Sequence, residues 1–131
     1  MDLLREHLTY RWIVGTTWNG PATLFHPLNV LAAWKPILVF SKGAWVKRRR
    51  WVDKSRVDSK EKDWHKHQEP LAEVEWMVDH FSEPGELVVD TCGGGFTTAV
   101  ACRNLQRRCI TCDVDKTAVD KGRLRLLSGN V

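Results

Sequence analysis

The chain has 131 residues, enough for one domain or a piece of one and too few for a dinucleotide domain joined to a substrate domain. Apolar residues at 43% and charged residues at 27% support a buried core and exclude wholesale disorder. The net charge of +4 hides a division: residues 1–66 carry 13 basic and 6 acidic side chains, a net of +7, whereas residues 67–131 carry 7 and 10, a net of −3. The front half is therefore the side expected to meet a polyanion such as nucleic acid. The longest apolar run, around residues 37–40, falls far short of the roughly 20 residues a membrane helix needs, and the opening Met-Asp-Leu-Leu-Arg-Glu lacks a secretory pattern. An intracellular, cytoplasmic globular protein without membrane contact is expected.

Residues 2–8 place Leu3, Leu4 and Leu8 behind an acidic start and predict a short amphipathic helix or the tail of one. Residues 10–18 are rich in β-branched and aromatic side chains and predict a strand, which Asn19-Gly20-Pro21 breaks. A short helix is expected around Leu28–Ala33, then a strand over 36–41, whose continuous apolar run suits burial on both faces. Residues 45–66 are charged and lack periodicity, the pattern of a loop or partly disordered arm. From Pro70 to Phe81 the residues Leu71, Val74, Met77, Val78 and Phe81 form one helical stripe, ended by Glu83-Pro84-Gly85. A strand over 86–91, a helix from about Thr97 to Leu105, a strand over 108–113 and a helix from about Lys116 to Leu127 complete a parallel β-α-β pattern.

All four cysteines, Cys92, Cys102, Cys109 and Cys112, lie in the last third. Cys109 and Cys112 have the spacing of half a zinc site, but no second close pair exists and strand positions three apart face opposite ways. Buried free thiols are expected, and no metal. His65 and His67 flank Lys66 without a nearby third ligand to complete a metal site.

Between the strand at 86–91 and the next helix, Gly93-Gly94-Gly95 lets the backbone turn tightly and come close to a ligand. The helix start offers amides to an anionic group. Asp90 ends its strand on the side where open α/β sheets bind ligands, and Asp113 ends the next at the separation from which a carboxylate reaches a ribose diol. These features describe a nucleoside cofactor pocket. A glycine-rich turn that binds nothing is the plainer alternative. The string fits neither G-x-G-x-x-G nor a P-loop, which disfavours NAD and ATP.

The segments His67-Gln68-Glu69-Pro70-Leu71, Phe81-Ser82-Glu83-Pro84-Gly85, Leu87-Val88-Val89-Asp90, Gly94 with Thr97-Thr98 and Ala101, and Arg107 to Asp115 resemble the carboxyl-terminal half of the permuted-order DNA methyltransferases that modify the amino group of adenine or cytosine. Trp34 to Gly43 resembles the segment these enzymes carry between catalytic and cofactor motifs, particularly in phage and prophage members. The resemblance implies a partial Rossmann-like α/β fold, a three-layer αβα sandwich with a mostly parallel sheet, lacking the strand that carries the catalytic loop. It implies one partial domain with strands over 1–44, a DNA-contacting loop over 45–66 and a cofactor half over 67–131. It implies S-adenosylmethionine as cofactor, with Gln68 and Pro70 bordering the pocket, Asp90, Gly93 and Gly94 forming the turn around the methionine portion, and Asp113 as the ribose acid.

The family's turn reads Asp-Pro-Phe-x-Gly-Ser-Gly-Thr-Thr. Here Thr91 and Cys92 replace Pro-Phe, Gly95-Phe96 replaces Ser-Gly, and Glu69 stands where Lys is common. Phe96 is expected either to clash with the cofactor or to restrict a conformation that glycine reaches cheaply. The family's base-holding Asp-Pro-Pro-Tyr loop is not found, since the one tyrosine is Tyr10 and no two prolines are adjacent. By resemblance the chain starts downstream of that loop, no residue here is assigned a catalytic role, and the missing strand predicts a homo-oligomer or a complementary partner chain.

Trp45, Lys47, Arg48, Arg49, Arg50, Trp51, Lys54 and Arg56 interleave cations with indoles, a pattern suited to phosphates and bases and hence to DNA. A solvated charge run with tryptophans against the core would look the same. Two functions follow: the cofactor part of an S-adenosylmethionine-dependent DNA amino-methyltransferase, inactive as this chain alone, or a non-catalytic DNA-binding or interaction module whose turn no longer holds cofactor.

Overall fold

The computed structural model describes residues 5–18, 22–45, 50–57 and 63–129. The chain forms two compact units, Met1–Asp58 and Ser59–Val131. Of the helix expected over 2–8, residues 2–4 lie outside the described residues; among the rest only Arg5 is helical, and residues 6–7 form a turn leading into β1.

In the first unit β1 (Thr9–Trp18) is the central strand of three. It pairs antiparallel with β4 (Trp34–Ser41) and parallel with β5 (Lys54–Val57). Its β-branched and aromatic run favours extended backbone. Gly15 N–H donates to Asp53 O at 3.0 Å, and the buried hydroxyls of Thr16 and Ser55 share a hydrogen bond of 2.8 Å, which ties β5 to β1. Arg11 Nε reaches Ser41 Oγ at 2.7 Å across the β1–β4 pair.

Three expectations for this unit are corrected. The stretch 28–33 is not helical: β2 (Thr23–Phe25) and β3 (Val30–Ala32) form an antiparallel hairpin around a 3₁₀ turn at His26–Leu28. Pro27 suits the first turn, and Asn29, at φ 50° and ψ 40°, ends it in the left-handed region that asparagine tolerates. The strand over 36–41 is not buried on both faces. It begins at Trp34, and only Val39 is buried while Leu38 is exposed. Antiparallel pairing leaves one face of a sheet open, whereas the continuous apolar run suggested a parallel interior strand. Finally, part of the expected arm is ordered as β5, since register with β1 supplies backbone partners that the sequence does not advertise.

In the second unit α1 (Leu71–Phe81), β6 (Leu87–Asp90), α2 (Thr97–Asn104), β7 (Arg108–Thr111) and α3 (Lys116–Ser128) follow the expected order. β6 and β7 are parallel neighbours, with Asp90 opposite Thr111 as the last pair, and α2 is the crossover between them. Leu71, Val74 and Val78 of α1 pack with Val100, Ala101 and Cys102 of α2, and Val88, Cys109 and Leu126 close the core. Gly85, at φ 83°, makes the turn into β6, its N–H donating to Gln106 O at 2.8 Å. Arg107 fastens the end of α1, donating to Ser82 O at 2.8 Å and pairing with Asp79 at 3.3 Å. Asp115 caps α3 by accepting from Thr117 N–H at 2.8 Å. No helix among the described residues is long and apolar enough to cross a membrane.

The cysteines are free, but only in part buried. Cys102 is buried, Cys109 half-buried, and Cys92 and Cys112 are exposed because they flank the turn rather than fill strand interiors. Burial, reinforced by the adjacent Cys109, pushes the Cys102 thiol up to about 12. In the folded chain Cys92 and Cys112 will react with Ellman's reagent, and Cys102 only after unfolding. Equal native rates for Cys92 and Cys102 would contradict this packing.

Candidate functional site

Beyond the last β6–β7 pair the turn is stitched to its neighbour strand. Cys112 N–H donates to Asp90 O at 3.0 Å and Gly93 N–H donates to Cys112 O at 2.8 Å. Asp90 Oδ1 accepts from Cys92 N–H at 3.0 Å, which closes the first corner. A Cβ on Gly93 would stand 2.5 Å from Thr111 Oγ1, so the close approach of turn to strand requires glycine there. Phe96 N–H then donates to Gly93 O at 2.6 Å and α2 begins.

Asp113, just past β7, faces this turn. Its Oδ2 accepts from Gly94 N–H at 2.8 Å and its Oδ1 from Asp115 N–H at 2.9 Å. The backbone N–H groups of Asp115 and then Gly94, with His65 adding a smaller effect, hold its carboxyl below the usual carboxylate range. An ionised carboxylate offers about four lone-pair sites, and these two amides, with a weaker contribution from Val114 N–H, do not fill them all.

The segment before α1 covers the other side. Gln68 is 3% exposed; its Oε1 accepts from Trp64 N–H at 2.9 Å, and its side chain lies 3.4 Å from where a Cβ on Gly95 would stand. His65 Nδ1 lies 3.4 Å from the corresponding point on Gly94 and accepts from His67 N–H at 3.2 Å. Gln68, Asp90, Gly93, Gly94 and Asp113 are thus gathered around one turn. Pro70 is buried two residues beyond Gln68 and serves the helix start, where its carbonyl accepts from Glu73 and Val74.

Phe96 does adopt the strained backbone expected of it, at φ 59° and ψ 27°. Its ring, however, is not presented to solvent at the turn. It is 4% exposed and sits on α3, where a Cβ on Gly122 would fall 2.2 Å from Phe96 Cγ. One helical turn along the same face, Arg125 is 1% exposed and donates through Nη1 to Gly95 O at 2.7 Å and to Thr97 Oγ1 at 3.1 Å. Its guanidinium lies 5.8 Å from the Trp64 ring centroid. Trp64, His65, Gly122 and Arg125 were not foreseen as parts of this site. The i, i+3 spacing of Gly122 and Arg125 is visible in the sequence, but charged neighbours on α3 conceal which face is inward.

The basic segment is divided. Lys47, Arg48 and Arg49 lie outside the described residues. Trp45 and Arg50 are exposed and Trp51 is half-buried. Lys54 and Arg56 lie exposed in β5, on the sheet face opposite to that of the buried Ser55, with Arg56 beside Thr17 and Thr17 beside Trp34.

Two outcomes test this geometry. Because the Asp113 pKa is lowered in the fold, its contribution is present above the ordinary carboxylate value of about 3.9 and is lost as pH falls through the lower folded value. Asp113→Asn will lower Tm at pH 7 in thermal melts, and the gap from wild type will persist to about pH 4 and close only below it. Arg125→Met removes a charged donor from two buried acceptors and will cost about 2–3 kcal/mol in urea unfolding.

The family model described as DNA methylase, for the N6/N4 type, matches residues 3–123. No curated protein matches the chain. Among solved structures, the M1.HpyAVI-SAM complex superposes with a TM-score of 0.78 at 23% identity, over 95% of this chain and 66% of that one. M1.HpyAVI itself gives 0.74 at 22% identity, over 99% and 65%. PvuII DNA methyltransferase, cytosine-N4-specific, gives 0.71 at 21% identity, over 90% and 52%. At these identities the likeness is one of fold, and it agrees with the mixed α/β architecture expected. The chain spans just under two thirds of the first two structures and about half of the third. Matched along nearly its whole length, the chain belongs to the N6/N4 DNA methylase family.

Proposed function

We propose that the chain is the S-adenosylmethionine-binding part of a DNA methyltransferase acting on the exocyclic amino group of adenine or cytosine. The observation that carries this reading is the turn at the carboxyl ends of two parallel strands, faced by an ionised Asp113 with acceptor capacity to spare. The donor set suits the cofactor: Asp113 for ribose hydroxyls, Asp90 and the Gly93–Gly94 backbone around the methionine portion, and Gln68 with Pro70 shaping the border. When bound, S-adenosylmethionine supplies an electrophilic methyl group. The chain's own residues bind and orient it. Asp113 remains ionised at neutral pH, and Gln68 fixes the backbone of Trp64 at the edge of the turn.

DNA is the substrate this reading requires, with Trp45, Lys47, Arg48, Arg49, Arg50, Trp51, Lys54 and Arg56 as its contacts in the positively charged front half. No Pro-Pro pair occurs in the 131 residues, so base holding falls to a segment or partner chain that supplies such a loop. The alternative, a non-catalytic DNA-binding or interaction module, draws on the departures of the turn from the family pattern, Phe96 foremost; packing of that ring on Gly122 favours the cofactor reading.

Isothermal titration with S-adenosylmethionine, and separately with duplex DNA at stepped salt, tests both halves of the proposal. Saturable cofactor binding that Asp113→Ala weakens about tenfold or more is expected, together with DNA affinity that falls steeply with salt. Absence of cofactor binding by a folded chain would overturn the first half, and flat salt dependence the second.

A further inference from the structure

We infer that Gly122 is a positioning residue for the cofactor turn: it receives the Phe96 ring and thereby keeps that ring out of the crevice. The inference rests on the cofactor reading above and concerns a departure of this chain from the pattern it resembles, Phe96 where that pattern carries glycine.

Position 96 is the last residue before α2, and its left-handed backbone fixes the direction in which its Cβ leaves the chain. From there the ring enters the interior, where it meets two backbones. On Gly122 an added Cβ would stand 2.2 Å from Cγ, 2.3 Å from Cδ2 and 2.6 Å from Cδ1 of the ring. On Gly93 an added Cβ would stand 3.2 Å from Cε2. The ring therefore lies flush on the helix backbone at 122 with one edge under the turn. No side chain larger than hydrogen leaves this space at 122, and the collision would involve the base of the ring, which has only its own χ angles with which to escape.

The adjacent backbone has little freedom to absorb the collision. Gly95 O is held by Arg125 at 2.7 Å, Gly94 N–H by Asp113 at 2.8 Å, and Gly93 N–H by Cys112 O at 2.8 Å. With Gly93–Gly95 anchored before residue 96 and Thr97 Oγ1 held by Arg125 at 3.1 Å after it, a methyl group at 122 turns the ring toward the turn or forces the turn off Asp113. Either change alters the surface offered to the cofactor. Gly122 touches neither cofactor nor turn hydrogen bonds; it acts through Phe96.

The experiment compares Gly122→Ala, Phe96→Gly and the double variant by calorimetric titration with S-adenosylmethionine, with thermal melts on each. It adds NMR contacts between ring-labelled Phe96 and the residue 122 α-proton, and solvent paramagnetic relaxation of the ring. Gly122→Ala is expected to weaken cofactor binding about tenfold or more and to raise ring relaxation, whereas the double variant, with no ring to displace, returns to within about threefold of wild type. Recovery by the double variant when Gly122→Ala alone fails to fold supports the same coupling. Wild-type affinity and an unmoved ring in Gly122→Ala would overturn the inference, as would a folded double variant that recovers nothing, or a double variant that fails to fold. If the wild-type chain binds no S-adenosylmethionine, the proposed function falls, and the pairing is judged on the ring: displacement in Gly122→Ala upholds it, and an unmoved ring rejects it.

Discussion

A parallel β-α-β unit ends both of its strands on one side, and the chain must leave the first strand, reverse and enter a helix within a few residues. In this protein that passage is held from three directions. The carbonyl of Cys112 just past β7 takes Gly93, the Asp113 carboxylate takes Gly94, and the buried guanidinium of α3 takes Gly95. Each of these three contacts acts on backbone, and the Asp90 carboxylate at the first corner and the Phe96 ring packed on Gly122 complete the anchoring. A cofactor reading of this chain depends on the shape so held, because a loop free to reorganise would lose in ordering entropy what it gained in contact.

Much of the second unit was legible from the sequence, for identifiable reasons. Its helix α1 carries apolar residues at 3.6 spacing, its strands are short β-branched runs, and Gly85, Gly93 and Gly94 punctuate it where the backbone must turn. The gathering of Asp90, Gly93, Gly94 and Asp113 followed from strand ends alone, since parallel strands bring their carboxyl termini together. Gln68 was named on resemblance, and the structure buries it beside Gly95 at the edge of the turn. Arg125 and Gly122 were hidden because a buried arginine on a charged helix has no signature apart from its partners, here a backbone carbonyl and an indole.

The first unit was less legible, because its elements are decided by pairing rather than by local preference. β5 has four residues and few strong strand formers, and exists as a strand through register with β1. The hairpin at 23–32 depends on Asn29 accepting a left-handed conformation, which local composition permits without requiring. Lys54 and Arg56 belong to a sheet face rather than to a loose arm, so their spacing is set by the strand repeat, about 3.3 Å per residue. A cation pair held in this way meets a phosphate backbone with less ordering cost than the same residues on a free segment.

The substitution of phenylalanine for the family's glycine at position 96 can be weighed energetically. A non-glycine residue in the left-handed region costs about 1–2 kcal/mol. Full burial of a phenylalanine side chain contributes about 1.5–3 kcal/mol. The two nearly cancel, with a margin in favour of the ring, provided that space exists for it without strain elsewhere. Gly122 supplies that space at the modest cost of a glycine within a helix, about 1 kcal/mol against alanine. The bulk gained at one backbone turn is thus matched by bulk absent from the helix beneath it, and the left-handed Phe96 is accommodated by burying its ring rather than exposing it.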